Sequence, residues 1–503
     1  MSLTLVIGGV RSGKSARAEA LASATGLPVR YIATADPADS SMADRIAAHA
    51  ARRPRDWTTA VADRRLPLGA AGCLLLDGLG VWIAGVDEGA VADGIAALIA
   101  ASASRPVIVV AEEAGLGLLG TSRVARAWLD TLGQAVQRLS AAADRVELVV
   151  AGRPLVLASS PSPADGLRRH GDELVRPGDA DYAVNVLAGG PPPWLRSALQ
   201  SALECEADSY PSEQAAVRAV AALHGRGPEE IVPTNGAAQA LWLLPSALRP
   251  ALAACVHPGF TEGEVALRAH GIPVARVLRD PDHGFVLDPR AVPEAADLVL
   301  VGNPASPSGQ LDPAGAVMSL RRPGRTIVVD EAFMDLVPGQ PESLVSDALP
   351  DVIVVRSLTK SLSVPGLRVG YAVAAPQLAD RLRAVRPAWS VNVLALAALT
   401  AAAGRPEALA AAAVRAGTER EDLQRGLASI PRVRTWPSST NFCLIEVPDG
   451  PRVTAALRAG GIAVRPADSF PGLAPSHLRL TARGRAANAR LVAALGAAVA
   501  GCP

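Results

Sequence analysis

Ser357-Leu358-Thr359-Lys360-Ser361, followed by Pro365-Gly366-Leu367-Arg368-Val369-Gly370-Tyr371, is the stretch whose reading decides the fold. It sets one lysine among small hydroxyl residues, then an arginine beside glycines. A pyridoxal phosphate site needs that set: an amine to condense with the cofactor's aldehyde, and hydroxyl and guanidinium groups to hold its phosphate. Lys360 is the expected catalytic amine, with Ser357 and Arg368 on the cofactor. The apolar run Val352 to Val355 before it reads as a buried strand, so the lysine leaves the carboxyl end of a strand. Leu298 to Val301 and Thr326 to Val329 repeat the arrangement, each leading into a polar motif. Open α/β sheets bind ligands at that end.

Four further elements join Lys360. Thr234-Asn235-Gly236-Ala237-Ala238 opens a helix whose N-terminal amides at Gly236, Ala237 and Ala238 can bind the cofactor phosphate. Asn303 is expected to hydrogen-bond the pyridine hydroxyl, and Asp330 to pair with the ring nitrogen and keep it protonated. Phe260 can stack on the ring. Singly these read as a turn Asn, a cap Asp and a core Phe. In this order, with Lys360, they resemble a fold-type I pyridoxal phosphate enzyme over about residues 168–503.

Within that class the chain resembles threonine-phosphate decarboxylases of the cobalamin pathway, with histidinol-phosphate aminotransferases as close relatives. The similarity lies in His170-Gly171-Asp172, Ala183-Val184-Asn185 before Pro191-Pro192-Pro193, Tyr210-Pro211, Asp330-Glu331-Ala332-Phe333, and Leu478-Arg479-Leu480-Thr481 with Arg483. Phe333 favours the decarboxylases, because the aminotransferases commonly have tyrosine there. The resemblance implies that Asn185 and Arg479 bind substrate, Arg479 at its carboxylate, and that Arg483 serves a second anionic group. It also implies that Tyr210 reaches the cofactor phosphate of a neighbouring subunit, hence a dimer through this domain. Decarboxylation and transamination share their first steps, and the bond that breaks depends on ångström-level positioning.

The opposite end of the chain carries a second phosphate motif. Gly8-Gly9-Val10-Arg11-Ser12-Gly13-Lys14-Ser15 fits G-x-x-x-x-G-K-[ST] between the strand Leu3 to Ile7 and a helix Ser15 to Ala24. Its backbone amides can wrap phosphates, Lys14 reaches the terminal phosphates and Ser15 can ligate Mg²⁺. Asp77, after Cys73-Leu74-Leu75-Leu76, is a candidate for the same metal shell or a helix cap. With Tyr31-Ile32-Ala33-Thr34, the patch Arg45-Ile46…His49…Arg52-Arg53-Pro54, and Arg123-Val124-Ala125-Arg126 through Gln137-Arg138-Leu139, the loop resembles the adenosylcobinamide kinase/adenosylcobinamide-phosphate guanylyltransferase family over about residues 1–157. That resemblance implies ATP or GTP as substrates, with Thr34, Arg52 and Arg53 among the nucleotide-binding residues. His49 would be guanylylated and would then pass GMP to cobinamide phosphate. A neutral imidazole suits such a step, since a phosphoramidate stores the nucleotidyl group for a second displacement. Val61 stands where the family usually has an acidic residue, and the acidic run before the His49 helix is thinned to Asp39-Ser40-Ser41.

Composition sets the frame. At 503 residues the chain exceeds one core, and strands alternating with helices imply mostly parallel sheets. The expected order is a P-loop domain at 1–157, a linker at 158–167 containing Ser159-Ser160-Pro161-Ser162-Pro163, and the cofactor domain at 168–503 with a small α+β subdomain from about Ser429. A net charge of +1 argues against nucleic-acid binding. Five scattered cysteines without CxxC spacing suit a reducing cytoplasm. No signal peptide or membrane span is expected, the apolar run Gly69 to Val86 being broken by Asp77 and glycines. The expectation is a bifunctional cobalamin-biosynthesis enzyme acting on small molecules. One rival is a histidinol-phosphate-like aminotransferase fused to a weakened nucleotide-binding domain. The other is a cofactor-dependent transcription regulator, which the P-loop and balanced charge oppose.

Overall fold

The computed structural model describes residues 2–35, 53–54, 56–69, 72–115, 122–159 and 167–502, so His49, Arg52 and the Asp39-Ser40-Ser41 run lie outside the described residues. The chain divides into two compact units, Met1–Pro163 and Ala164–Pro503.

The first unit is one seven-stranded sheet built from β1 (Leu3–Gly8), β2 (Val29–Ala33), β3 (Thr58–Val61), β4 (Cys73–Asp77), β5 (Val107–Glu112), β6 (Arg145–Val150) and β7 (Arg153–Ser159). Their order is β3-β2-β4-β5-β1-β6-β7, all parallel except the β6–β7 hairpin. Alternate residues of each strand point to opposite faces, so Leu3, Leu5 and Ile7 pack under the helices Leu79–Ala84, Glu88–Ser102 and Arg123–Ala142, while Val6 faces the helix Lys14–Ser23. Truncating a fully buried side chain such as Leu5 to alanine would cost about 2–5 kcal/mol. β7 runs to Ser159, so the hairpin takes the first two residues of the stretch expected as linker. The expectation missed this strand, whose Leu155 and Leu157 are exposed and show no buried run.

The second unit holds β8 (Ala180–Asp181), β9 (Ile231–Asn235), β10 (Ala253–His257), β11 (Val274–Leu278), β12 (Leu298–Gly302), β13 (Thr326–Asp330), β14 (Val352–Ser357) and β15 (Val369–Ala374). Seven of them form a sheet of order β11-β10-β12-β13-β14-β15-β9, parallel from β11 to β14 and antiparallel at β15. Its two faces carry separate cores. Val329 and Val354 pack with the helices Pro193–Glu206, Gln214–His224 and Val393–Ala403, and Val328 and Ile353 with the helices Gly236–Leu248 and Pro376–Val385. Strands buried on both faces explain the unbroken apolar runs in the sequence. Beyond them, β16 (Arg434–Thr435), β17 (Phe442–Glu446), β18 (Ile462–Ala463), β19 (Arg465–Pro466) and β20 (His477–Thr481) follow. A smaller sheet, β16-β17-β20-β19, packs with the helices Gly450–Ala459 and Arg485–Ala500. No single helix among the described residues is long and apolar enough to cross a membrane.

Candidate active sites

In the first unit, Gly8 to Ser15 turn the chain from β1 into the helix Lys14–Ser23. Gly13 has φ +94°, and a Cβ there would lie 3.1 Å from Gly152 Cα, so glycine is required on both counts. Lys14 Nζ rests on the Gly9 carbonyl at 3.1 Å, the loop closing on itself where phosphates would sit. Ser15 Oγ donates to Asp77 Oδ1 at 2.9 Å, which joins the two residues expected in one metal shell. Tyr31 donates to the other oxygen, Asp77 Oδ2, at 2.6 Å, and Thr34 Oγ1 to the Asp77 carbonyl at 2.8 Å. Burial and the Asp77 charge push the Tyr31 phenol well above its usual range, so it stays a donor. The Arg53 guanidinium lies 3.7 Å over the Tyr31 ring and bonds Thr59 Oγ1 at 3.3 Å. Arg53, Tyr31, Asp77 and Ser15 thus form one continuous chain of contacts beside the loop. Tyr31 was read only as part of a motif; its place in this chain follows from lying two residues before the end of β2, in register with Leu75 of β4.

In the second unit the Gly236, Phe260, Asn303, Asp330 and Lys360 motifs stand at or follow the carboxyl ends of strands, whereas Arg368 precedes β15 and Arg479 lies within β20. Asp330 closes β13, and Lys360 follows β14. Lys360 Nζ is 3.4 Å from Ser357 Oγ, and Ser357 Oγ is 2.7 Å from Thr359 Oγ1. Burial brings the lysine amine down to about 8, partly opposed by the Asp330 charge, while Arg368 and Arg479 add to the depression. Burial raises the Asp330 carboxyl, which Lys360 and the Ala332 amide oppose. Phe333 lies with its ring centroid 5.3 Å from Lys360 Nζ.

The phosphate end is equally defined. Gly236 opens its helix at φ +76°, and a Cβ there would come within 2.8 Å of Arg368 Nη2. The guanidinium therefore lies against bare backbone at a helix N-terminus, where Ala237 and Ala238 follow. Thr234 Oγ1, next to this cradle, is buried without a partner. Asn185 accepts from Thr481 Oγ1 at 2.8 Å, leaving its buried Nδ2 unpartnered. An orphaned hydroxyl, an orphaned amide, a cradle without side chains and a low-lying lysine fit pyridoxal phosphate. Phe260 and Asp330 line one small cavity.

Residues 181–495 match the family model described as aminotransferase class I and II. The chain belongs to that family. Residues 4–157 match the model described as cobinamide kinase / cobinamide phosphate guanyltransferase. A histidinol-phosphate aminotransferase of Mycobacterium tuberculosis is 44% identical over 328 residues, 64% of this chain and 88% of the relative. A threonine-phosphate decarboxylase of Salmonella typhimurium is 29% identical over 335 residues, 63% of this chain and 90% of the relative. An adenosylcobalamin biosynthesis bifunctional protein of Leptospira interrogans is 26% identical over 62% of this chain but only 38% of its own length. The histidinol-phosphate aminotransferase structure from Clostridium acetobutylicum superposes with a TM-score of 0.61 at 21% identity, covering 64% of this chain and 99% of that one. This likeness gives the fold of the second unit.

The aminotransferase-family unit also sets beside the expected Arg479 a charge that the sequence reading did not single out, Arg465. Arg479 on β20 donates to the Ala183 carbonyl at 2.8 Å and to Ser306 Oγ at 3.3 Å, and its buried Nε has no partner. β19 pairs with β20 so that Arg465 stands opposite Arg479. Arg465 is 2% exposed, donates to Ser469 Oγ at 2.6 Å and to the Arg169 carbonyl, and leaves Nη1 buried without a partner. Neither arginine has a carboxylate within ion-pair distance among the described residues, unlike the equally buried Arg279 and Arg356. Burial and the neighbouring Arg465 bring Arg479 down to about 9; burial and Arg169 bring Arg465 to about 10. Two adjacent buried cations with unpartnered donors are stable only against an anion supplied from outside. The signal for Arg465 was a lone charge in the apolar run Ile462 to Ala467.

One expectation is corrected. Arg483 bonds the carbonyls of Asp181, Val184, Val186 and Ala482, with Asp181 Oδ2 at 3.6 Å, so its donors are engaged and none remains for a substrate anion. It staples the segment carrying Asn185 to the end of β20. Asn303 is 1% exposed, donates one Nδ2 hydrogen to the Asp312 carbonyl at 3.0 Å and accepts from the Asp312 amide at 2.9 Å, which braces it and leaves its second Nδ2 hydrogen unused by that contact. Ser306, three residues on and beside Arg479, is the hydroxyl that faces the site. Tyr210 is 78% exposed and stacks on the exposed Trp389 at 4.4 Å.

Proposed function

We propose that the chain is a bifunctional cobalamin-biosynthesis enzyme. In this reading its second unit decarboxylates L-threonine O-3-phosphate with pyridoxal phosphate, and its first phosphorylates adenosylcobinamide and transfers GMP to the product. The observation that carries the second activity is the Arg465–Arg479 pair. One buried guanidinium takes the carboxylate of a small amino acid, and its neighbour takes a second anion, which a phosphate ester supplies. Lys360 and Asp330 hold the cofactor at its aldehyde carbon and ring nitrogen, while Arg368, the Gly236 amides and Thr234 hold its phosphate. When bound, the cofactor supplies an electron sink for the bond broken at the substrate's Cα. Lys360, its amine near 8, moves a proton at that carbon. Phe333 offers no hydroxyl beside Lys360 to compete for the proton.

For the first unit, Ser15 and Asp77 are hard-oxygen ligands suited to Mg²⁺, with Lys14 and Arg53 on the triphosphate. His49 would attack the α-phosphorus of GTP and release pyrophosphate, then pass GMP to cobinamide phosphate. The exposed Tyr210–Trp389 stack supports a dimer in which Tyr210 crosses to the partner's cofactor phosphate. Free cysteines suit the cytoplasm.

The 44% identity to a histidinol-phosphate aminotransferase favours a second reading, transamination of a phosphorylated amine. Mixing the holoenzyme with threonine phosphate separates the two: decarboxylation releases CO₂ and aminopropanol phosphate, whereas transamination leaves pyridoxamine phosphate.

A further inference from the structure

A second charged cluster lies beneath the cofactor position and has no part in the chemistry above. His257, the last residue of β10, is 1% exposed, and its Nε2 lies 2.7 Å from Glu264 Oε2. Glu264 is itself fully buried and also takes Arg268 at 2.6 Å and Arg276 at 2.9 Å. The groups facing His257 are thus Glu264 and Arg268 from the helix Glu262–Ala269, Arg276 from β11, and Cys255 from its own strand. The Glu264 carboxylate accepts from Nε2, so Nδ1 is the ring nitrogen left for another partner. That Nδ1 is buried and has no partner.

His257 and Asp330 line the same cavity, of about 10 Å³, with Gly302, Phe260, Gly259 and Leu300. Gly302 pairs with Asp330 across β12 and β13, and β10 pairs with β12 up to Cys255–Leu300, two residues before His257 and Gly302. Continuing that register sets His257 and Asp330 on the same face, two strands apart with a glycine between them. The missing side chain at Gly302 leaves the space. The Nδ1 nitrogen and the Asp330 carboxylate belong to residues that line a volume close to one water sphere, and water has two protons to donate.

We propose that a single water molecule, bound between His257 Nδ1 and Asp330, holds Asp330 in its anionic form and makes His257 a positioning residue for the cofactor's ring nitrogen. The inference rests on the pyridoxal phosphate reading of this site. Burial alone favours the neutral acid at Asp330, which could not keep the ring nitrogen protonated. A donated hydrogen bond opposes that tendency, and Glu264 fixes the tautomer that makes it possible.

The test uses holoenzyme reconstituted with cofactor labelled with ¹⁵N in the ring. The wild-type ring-nitrogen resonance is expected at its protonated position. His257→Leu should move it toward the unprotonated position and shift the pH midpoint of the cofactor's absorption band near 400 nm by roughly one unit. His257→Asn, which keeps an acceptor, should restore most of both. Gly302→Ala is the independent variant: a Cβ there meets only Ala305 Cα at 3.6 Å and the Pro304 carbonyl at 3.7 Å, so the fold tolerates it while the cavity fills. It should reproduce the His257→Leu shift even if the leucine variant fails to fold. An unmoved ring-nitrogen resonance in cofactor-loaded Gly302→Ala would overturn the inference. Absence of any cofactor band in the wild type would instead overturn the cofactor reading and this inference with it.

Discussion

Val10 at the crown of the N-terminal loop is 77% exposed, whereas Arg465 and Arg479 in the C-terminal unit are 2% and 9% exposed. In the proposed reading both places take phosphoryl groups, yet one is open backbone and the other sealed side chain. An open loop is defined by eight consecutive residues, since glycines and helix amides do the binding wherever the strand points them. The buried pair is defined by strand register: Arg465 and Arg479 meet because β19 lies antiparallel to β20. Desolvation makes the buried pair the more selective, because a ligand lacking an anion leaves two cations uncompensated.

Substitutions can break this contrast. The largest effect is expected at Lys360: Lys360→Ala should lower C-terminal turnover by roughly 10⁴-fold and leave GTP binding intact, and borohydride should trap the cofactor on Lys360 in the wild type. Mass spectrometry of the reduced peptide checks this. At the other end, GTP labelled in its α-phosphate should leave acid-labile, base-stable label on the wild type and none on His49→Ala, which still binds nucleotide. Lys14→Ala should cost about 2–4 kcal/mol in transition-state stabilisation for both N-terminal activities, read from kcat/KM.

The buried arginines sharpen the comparison. Arg465→Met should raise KM for a phosphorylated amino acid by roughly 10- to 100-fold and scarcely affect an analogue lacking the phosphate. Arg483→Met should do the reverse, lowering stability by about 2–3 kcal/mol with KM unchanged, because its partners are backbone carbonyls. Thermal unfolding and steady-state kinetics on the two variants separate an anion site from a staple. The smallest effect concerns pH. With the Lys360 amine depressed to about 8, the reactive neutral form grows as pH rises and saturates above that value. Cofactor capture by the free protein should therefore accelerate about tenfold per unit below pH 8 and level off above it.

What was legible follows the same division. Gly13, Lys14 and Ser15, and likewise Gly236, Asp330, Lys360 and Arg368, sit in short motifs at strand ends, where local sequence dictates local geometry. The central strands of the two seven-stranded sheets, such as β1, β4, β5, β12, β13 and β14, were readable from buried apolar runs, whereas the exposed edge strand β7 was not. Arg465 was not, because it sits in a two-residue strand and its partner is fourteen positions away. The resemblance put Arg483 on a second substrate anion, and the fold turns it elsewhere. It lies four residues after Arg479, an even step that would share a face in a continuing strand, but β20 ends at Thr481 and the chain turns the guanidinium onto backbone.

The central claim is that the sealed arginine pair serves a decarboxylase. Single-turnover reaction of the holoenzyme with threonine phosphate labelled in its carboxyl carbon tests it most directly. The account predicts one equivalent of labelled CO₂ per active site, with the cofactor recovered as pyridoxal phosphate. Retention of the label in a keto acid, with pyridoxamine phosphate accumulating in equal amount, would contradict it.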